Sequence, residues 1–209
     1  YDKVFDFRLP VPDGGAFAAD LVRRIEKGEI PRSVFLASGP ETEALEAPLV
    51  RAGFSVFYEQ TGMAVRRGEL RAPEGGPGEI GPVATGEDLD AWIACLDLSF
   101  ERKRNRTQYE KLAGADGISL WGIRDGGVMV STILLQKRGE AAGIHLVSTH
   151  PDHRKKGHGA RLTAFAAGRA FSAGADRVVL LSSPMGRGMY AGLGFAVYGT
   201  VKHLRYGGH

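Results

Sequence analysis

A cluster of cations and glycines makes the segment THPDHRKKGHGARLTAF, residues 149–165, the strongest candidate for chemistry in this chain. A helix is predicted to begin at about Gly157, and the first backbone N–H groups of a helix have no intrahelical partner. The helix dipole adds about half a positive charge there, and Gly157 and Gly159 let an anion approach the backbone closely. Further positive charge comes from Arg154, Lys155 and Lys156. The segment therefore predicts either a pyrophosphate site or a solvated basic turn.

Established nucleotide and metal motifs do not explain this turn. The sequence has no G-x-x-x-x-G-K-[ST] loop, and no G-x-G-x-x-G follows a predicted strand. Three histidines, His150, His153 and His158, are expected at the surface or at the rim of a cofactor site. Since no H-x-x-x-H pattern lies on a helix, no metal site is predicted.

The elements that must position these residues form a mixed α/β pattern in the second part of the chain. The segment 71–82 is rich in Gly and Pro and is predicted to be a connector, which gives domains 1–75 and 76–209. Helices are predicted over TGEDLDAWIACLDLSF, RTQYEKLA, GARLTAFAAGRAFSAGA and GRGMYAGLGF. A hairpin in ISLWGIRDGGVMVSTILLQ and strands in AGIHLVST, DRVVLLSS and AVYGTVKHLR complete the pattern.

The sequence of the front of the chain resembles a degenerate copy of the back half. SVFLASGP (33–40) aligns with RVVLLSSP (177–184), and RAGFSVFY (51–58) aligns with GLGFAVYG (192–199). At the position of the basic turn the front copy has PVPDGG, residues 10–15, which contains no cation. A degenerate partial repeat is therefore predicted, although chance similarity between two strand–helix–strand units remains the alternative.

The order of motifs resembles the GNAT superfamily of acetyl-CoA-dependent N-acetyltransferases. The family pattern Arg/Gln-x-x-Gly-x-Gly/Ala is matched at residues 154–159, and its late tyrosine helix followed by Gly-Phe is matched by Tyr190, Gly194 and Phe195. The resemblance covers residues from about 80 to 209. It implies a twisted mixed α+β sheet whose central strands splay apart, flanked by helices and preceded here by the partial copy.

The resemblance also implies which residues bind acetyl-CoA. The strand before the turn would offer backbone groups to the pantetheine arm, and the turn would hold the pyrophosphate. A family asparagine that contacts the cofactor is replaced by Ser183, which has less reach. The implied cofactor-binding residues are Val147, Ser148, Thr149, Arg154, Lys155, Lys156, Gly157, His158, Gly159 and Ser183.

Acid and base for acyl transfer are implied by the same resemblance. Tyr190 would protonate the departing thiolate, because a phenol is protonated at pH 7; packing between helix and sheet is its alternative role. His145 would take the proton of the amine, and strand alternation predicts that it shares one face with Val147 and Thr149. Glu101 and Glu110 are alternative bases. The basic run 101–112 borders the acceptor site in the family, or else forms a solvated face.

Composition limits the remaining choices. The net charge of +3 suits an anionic small molecule as well as nucleic acid, so charge alone does not decide between them. Cys95, the only cysteine, excludes an intramolecular disulfide and is expected in the core. We expect a cytoplasmic N-acetyltransferase for a small-molecule or peptide amine, with no nucleic-acid or membrane partner and a homodimer as one option. The alternative is a catalytically silent acyl-CoA-binding, sensor or interaction module. A third hypothesis, that the basic turn binds nucleic acid, predicts an affinity for nucleic acid that falls steeply with salt.

Overall fold

The computed structural model describes residues 3–4 and 13–207 of the 209-residue chain. Six helices in this part of the chain are α1 (Gly14–Glu26), α2 (Pro40–Arg51), α3 (Gly86–Phe100), α4 (Arg106–Ala113), α5 (His158–Ser172) and α6 (Arg187–Gly192). The strands are β1 (Lys3–Val4), β2 (Ser33–Ala37), β3 (Phe54–Arg66), β4 (Glu79–Pro82), β5 (Ile118–Asp125), β6 (Val128–Arg138), β7 (Ala141–Thr149), β8 (Arg177–Ser182) and β9 (Ala196–Tyr206). Within the described residues, no helix has both the length and the apolar character needed to cross a bilayer.

The chain forms two compact units that interleave along the sequence. The first unit comprises Tyr1–Gly62, Ser182–Pro184 and Val197–His209, and the second comprises Met63–Leu181 and Met185–Ala196. Strands β3 and β9 therefore each contribute residues to both units. The assignment of residues 1–75 and 76–209 to two domains stays a prediction.

The second unit contains the mixed sheet and the motifs singled out above. Its strands follow the order β8-β7-β6-β5-β4, with β7 and β8 parallel and the other neighbours antiparallel. One face packs on α5 through a core that includes Ile144 and Leu162, and the other packs on α3 through a core around Trp92 and Leu96. The predicted fold class, a mixed sheet flanked by helices, is confirmed.

Local chemistry explains the elements that the sequence pattern predicts. Thr85 and Asp88 form a capping box that begins α3, with Asp88 Oδ2 accepting from the Thr85 backbone N–H at 3.1 Å. Gly126 and Gly127 have φ values of 57° and 82°, which the turn between β5 and β6 requires and which other residues rarely adopt. All the helices and strands predicted from residue 86 onward are present.

The prediction that 71–82 is a connector is wrong in part. Residues 79–82 form β4, which pairs with β5 from Glu79–Arg124 to Pro82–Trp121. The loop before β4 is anchored by Arg161, whose guanidinium donates to the carbonyls of Gly76, Pro77 and Gly78 at 2.6–2.8 Å. A four-residue strand containing Pro82 shows no apolar period, so pattern analysis missed it.

The front of the chain has the same order of elements as the end of the chain. α1, β2, α2 and β3 correspond in order to α5, β8, α6 and β9. Asp13 caps α1 by accepting from the backbone N–H of Gly15 at 2.8 Å, and α1, β2 and α2 surround a separate core. Part of the PVPDGG segment, residues 10–12, lies outside the described residues. The origin of the front part as a degenerate repeat stays a prediction.

Residues 197–206 of β9 belong to the first unit, and residues 63–66 of β3 belong to the second unit. β9 pairs antiparallel with β2 from Ser33–Arg205 to Ala37–Val201 and places Leu204 in the core of the first unit. The end of β3 instead places Met63 and Val65, 2% and 1% exposed, in the core of the second unit. Residues from both ends of the sequence are therefore needed to complete the first unit.

Candidate active site

The central parallel strands separate at the position where the cofactor arm was expected. The pairing of β7 with β8 ends at Ile144 and Leu180, although β7 continues to Thr149. On its other edge β7 stays paired with β6, with a register shift between Thr132 and Leu134. The β8-facing backbone edge of residues 145–149 is thus outside the ladder, as in the splayed sheet that was predicted.

A bulge in β7 changes which way its side chains point. Leu146 has φ of 53°, a left-handed conformation, and the register passes from Leu134–His145 directly to Thr132–Ser148. Leu146 packs with the α3-side core, whereas Ile144 and Val147 both pack with the α5-side core. Alternation therefore shifts by one residue at the bulge.

The expectation that His145, Val147 and Thr149 share one face is therefore wrong. His145 lies opposite Leu134, which belongs to the α3-side core, so its side chain is on the α3 face of the sheet. Val147 packs on the α5 side, and Thr149 Oγ1 lies 3.5 Å from the position that a Cβ on Gly159 would occupy. The separation of faces follows from one left-handed residue, which alternation cannot foresee.

Buried hydroxyl groups hold the bulged part of β7 on β6. Ser131 donates to the Ser148 carbonyl at 2.6 Å, and Thr132 donates to the Leu146 carbonyl at 3.1 Å. Thr132 Oγ1 also lies 2.7 Å from the hydroxyl of Ser148, which is 6% exposed. The carbonyl and the hydroxyl of Ser148 thus both link β7 to β6. Cys95, 2% exposed, lies in the α3-side core as predicted, and burial raises the pKa of its thiol.

The main chain of the basic turn has a run of backbone N–H groups without hydrogen-bond acceptors in the described chain. Gly157 caps α5 with φ of 80° and without a side-chain hydrogen bond, and Lys155 is also left-handed with φ of 62°. Arg161 is the first residue of this region whose N–H bonds within the helix, to the Gly157 carbonyl at 3.0 Å. The N–H groups of residues 155–160 contact no acceptor in the part of the chain that the structure describes. Such a run of free N–H groups suits a phosphate.

The three cationic side chains of the turn differ in their hydrogen-bond contacts. Lys155 and Lys156 are exposed, as expected for a charged rim. The guanidinium of Arg154 instead donates to the carbonyl of Thr149 at 3.4 Å and to that of Ser99 at 3.3 Å, near the end of α3. The Arg154 side chain thus contacts two carbonyl groups, and its charge lies close to β7.

Gly159 is the place where three elements meet. A Cβ at this position would lie 3.3 Å from Met189 Sδ of α6 and 3.5 Å from Thr149 Oγ1 of β7. The bare glycine thus allows the start of α5, the end of β7 and the tyrosine helix to approach one another. A Cβ at position 157 would meet open space, so glycine is favoured there by the positive φ of the backbone and not by crowding.

His158 lies elsewhere than expected. It was predicted at the surface or the cofactor rim, but its side chain is only 1% exposed, because the first residue of α5 points inward. Burial lowers its pKa, with the negative charge of Asp125 acting in the opposite direction. The backbone N–H of His158 has no acceptor in the described chain.

Tyr190 combines a buried ring with an unpaired hydroxyl. The residue is 7% exposed, belongs to the α5-side core and packs edge-on against Phe195 with centroids 5.9 Å apart. Its backbone links the helix to the Gly-Phe motif, since the Phe195 N–H donates to the Tyr190 carbonyl at 3.0 Å. The hydroxyl makes no hydrogen bond to any residue that the structure describes. Burial raises the pKa of Tyr190 to about 12.

His145 lies over a glycine that sequence analysis did not single out. A Cβ on Gly143 would come within 2.6 Å of His145 Nε2, so the imidazole occupies the space that any larger residue at 143 would fill. The side chain keeps an exposed portion, and partial desolvation lowers its pKa. An isolated glycine within a strand pattern was the available signal for this close approach.

The remaining candidates lie apart from this geometry or are already paired. Glu101 is exposed at the end of α3, and Glu110 forms an ion pair with Arg106 at 3.1 Å. Within the basic run, Arg106 binds Asp90 at 2.6 Å at an exposed position, which agrees with a solvated face, whereas Arg104 binds Asp97 at 3.1 Å and its side chain is only 11% exposed. Ser183 follows the end of β8 and its carbonyl accepts from the Ser182 hydroxyl at 2.8 Å.

Comparisons with known proteins agree with this geometry. Residues 88–195 match the model of the acetyltransferase (GNAT) family. A GCN5-related N-acetyltransferase from Kribbella flavida is 25% identical with a TM-score of 0.75, and the alignment covers 94% of this chain and 77% of that chain. A GCN5-related N-acetyltransferase from Sphaerobacter thermophilus is 17% identical with a TM-score of 0.72, over 94% and 69% of the two chains.

A more distant likeness has the same fold over a shorter stretch. The ribosomal-protein-S18-alanine N-acetyltransferase from Escherichia coli is 14% identical with a TM-score of 0.52, over 61% of this chain and 91% of that chain. No curated protein matches the chain. With the family model matching residues 88–195 and the separated strands, basic turn and tyrosine helix all present, the chain belongs to the GNAT family of acetyltransferases and is an acyltransferase.

Proposed function

We propose that this protein is an N-acetyltransferase that moves the acetyl group of acetyl-CoA directly to a primary amine of a small molecule or peptide. The observation that carries the proposal is the gap in the sheet after Ile144 and Leu180, flanked by the free N–H groups of residues 155–160 and by Tyr190. A linear cofactor with a diphosphate at one end and a thioester at the other fits such a series of groups.

The residues present fit coenzyme A in two independent respects. The turn offers six successive backbone N–H groups, 155–160, without an acceptor in the described chain, and exposed lysines beside them. The β8-facing edge of 145–149 offers main-chain groups outside the ladder to the amides of a pantetheine arm. Val147, Ser148 and Thr149 would hold that arm, and residues 154–159 would hold the diphosphate. Ser183 is proposed as a further contact on chemical grounds alone.

The bulge gives the two faces of the sheet different roles. His145 lies on the α3 face and Tyr190 packs in the α5-side core, so a base and an acid stand on opposite faces where the strands diverge. An amine that approached from the α3 face would pass its proton to His145, directly or through water. The sulfur would leave toward the α5 face, where Tyr190 is the available donor. Bound acetyl-CoA supplies the thioester carbonyl that the amine attacks.

The protonation states suit these roles. Because partial desolvation lowers the pKa of His145, its imidazole is neutral at pH 7 and can accept a proton. Tyr190, with a pKa of about 12, keeps its proton and donates a hydrogen bond to negative charge that builds on the sulfur.

A thiol-release assay with the full chain tests the proposal. Acetyl-CoA is supplied with a panel of small primary amines and of peptides with free amino groups, and free thiol is measured against reactions without amine. We expect amine-dependent release of one CoA per acetylated product, confirmed by mass spectrometry. Tight binding of acetyl-CoA without turnover on any amine would support a silent acyl-CoA-binding or sensor module instead. If the chain instead bound nucleic acid with an affinity that fell steeply with salt and that CoA did not change, the basic turn would be a nucleic-acid-binding site.

A further inference from the structure

A second cluster of side chains, which are of the types that bind metal ions, includes two histidines of the basic turn. It consists of Asp125 at the end of β5, His153 in the short 3-10 turn Pro151–His153, and His158 at the start of α5. One carboxylate oxygen and one ring nitrogen from each histidine all lie within 4.8 Å of one another. Three elements that are separate in sequence thus bring two imidazoles and a carboxylate to one point.

The buried polar atoms in this cluster lack partners. His158 is 1% exposed, and neither of its ring nitrogens has a hydrogen-bond partner in the described chain. Nδ1 of His153 is likewise buried without a partner. Buried side-chain nitrogens without any partner are rare in native proteins, so these atoms indicate a missing ligand. An apolar residue would fill the place of His158 without this penalty.

The spacing of the cluster suits an atom between its members. His153 Nδ1 lies 3.8 Å from Asp125 Oδ2, which is too long for a hydrogen bond. Tetrahedral coordination with bonds of about 2.0–2.2 Å places ligand atoms about 3.4 Å apart, so small side-chain rotations close the site. The His153 and His158 rings have centroids 6.3 Å apart and are tilted by 47°, so they do not stack on each other.

We propose that Asp125, His153 and His158 bind one divalent metal ion of the zinc type. Two imidazole nitrogens with one carboxylate oxygen are a donor set for Zn²⁺ or Co²⁺, whereas Mg²⁺ and Ca²⁺ prefer oxygen ligands alone. A water molecule would complete the coordination. Lys156 and Arg161 place positive charge near His158, and the carboxylate of Asp125 is the group that offsets it.

The ion would have a structural role in the turn. It would join the end of the β5–β6 hairpin to the residues on both sides of Arg154–Gly157, and so fix the backbone N–H groups that precede α5. The acyl-transfer proposal does not depend on this site, because it uses the backbone N–H groups of the turn, whereas the three metal ligands are side chains. Metal binding is therefore measured on the full chain without acetyl-CoA or amine.

The test is a titration of chelator-treated full-length protein with Co²⁺ and Zn²⁺. We expect one equivalent of Co²⁺ to give visible absorption bands of low-symmetry coordination, and Zn²⁺ to abolish them. Zn²⁺ should also raise the melting temperature, because it binds only the folded state. Asp125→Asn keeps the shape of the side chain and removes its charge, and should weaken Zn²⁺ binding at least about ten-fold. His158→Leu fills the buried space and should abolish stoichiometric binding.

His150→Gln is the matched control. His150 packs edge-on against His153 at 5.5 Å but is not one of the three ligands, so this variant should bind as the parent does. Absence of stoichiometric binding, or equal affinity in the parent and in Asp125→Asn, would overturn the proposal. If His158→Leu does not fold, Asp125→Asn decides alone, since Asp125 is at a partly exposed hairpin with its side chain 33% exposed.

Discussion

At the scale of single residues, a variant of Tyr190 can distinguish a catalytic role of its hydroxyl from a packing role of its ring. Its ring is 7% exposed in the core while its hydroxyl has no partner in the described chain, so Tyr190→Phe removes a donor and little else. We expect kcat to fall by about 10²-fold, the lower end of what a general acid contributes. The dissociation constant of acetyl-CoA should change less than about two-fold, as calorimetry would measure. Equal losses in both quantities would show that the ring only packs.

The pH dependence of kcat reports on His145. The imidazole acts as a base when neutral, and its pKa is lowered from 6.5, so its protonation reduces kcat only as the pH falls below that value. Tyr190, with a pKa of about 12, adds no loss up to pH 10. His145→Gln should remove the acid-side loss and lower kcat at pH 8. The titration of the amine is common to parent and variant, so the difference between the two profiles isolates His145.

Gly143→Ala tests whether the position of the imidazole matters. Its Cβ would lie 2.6 Å from His145 Nε2, at the free end of a side chain that can rotate away. We expect a several-fold lower kcat with a melting temperature close to that of the parent, since the backbone at 143 tolerates alanine. Unchanged kcat in this variant, together with unchanged kcat in His145→Gln, would exclude His145 as the base.

At the scale of elements, the start of α5 is the proposed seat of the diphosphate. Gly157 has φ of 80° and no atom within 4 Å of the position that a Cβ would occupy, so a substituent there meets backbone strain but no clash. Asn and Asp both tolerate this conformation and have the same shape. Gly157→Asp should therefore bind CoA at least about ten-fold more weakly than Gly157→Asn, because it adds negative charge at the helix start. Equal affinities by calorimetry would place the cofactor elsewhere.

The elements also show what a sequence can and cannot predict. α3, α5 and the β5–β6 hairpin follow from caps, apolar spacing and the Gly126–Gly127 turn, all of which are local signals. The bulge at Leu146 was missed because the left-handed leucine is accompanied by a hydroxyl contact from the neighbouring strand β6, which no local sequence pattern reveals. The basic turn was predicted from its composition. The burial of His158 was not predicted, because a histidine in a basic turn is normally expected at the surface.

At the scale of the whole molecule, the end of β3, residues 63–66, belongs to the second unit. Met63 and Val65 are buried there, and each such side chain contributes about 1.5–3 kcal/mol. Since a domain has only about 5–15 kcal/mol of stability, a fragment of residues 76–209 should lose cooperative unfolding. A fragment of residues 54–209 keeps both side chains and is the matched comparison. Similar melting curves for the two fragments, followed by circular dichroism, would contradict this role of β3.

The pairing of β2 with β9 has a consequence for biosynthesis. Ser33 finds its partner Arg205 only after the residues around Arg205 have been translated and have left the ribosome, so the first unit cannot be completed before then. Contacts between residues so distant along a chain also slow folding. During that wait the nascent front segment exposes the surfaces of Val34 and Leu36, and chaperones are expected to occupy them.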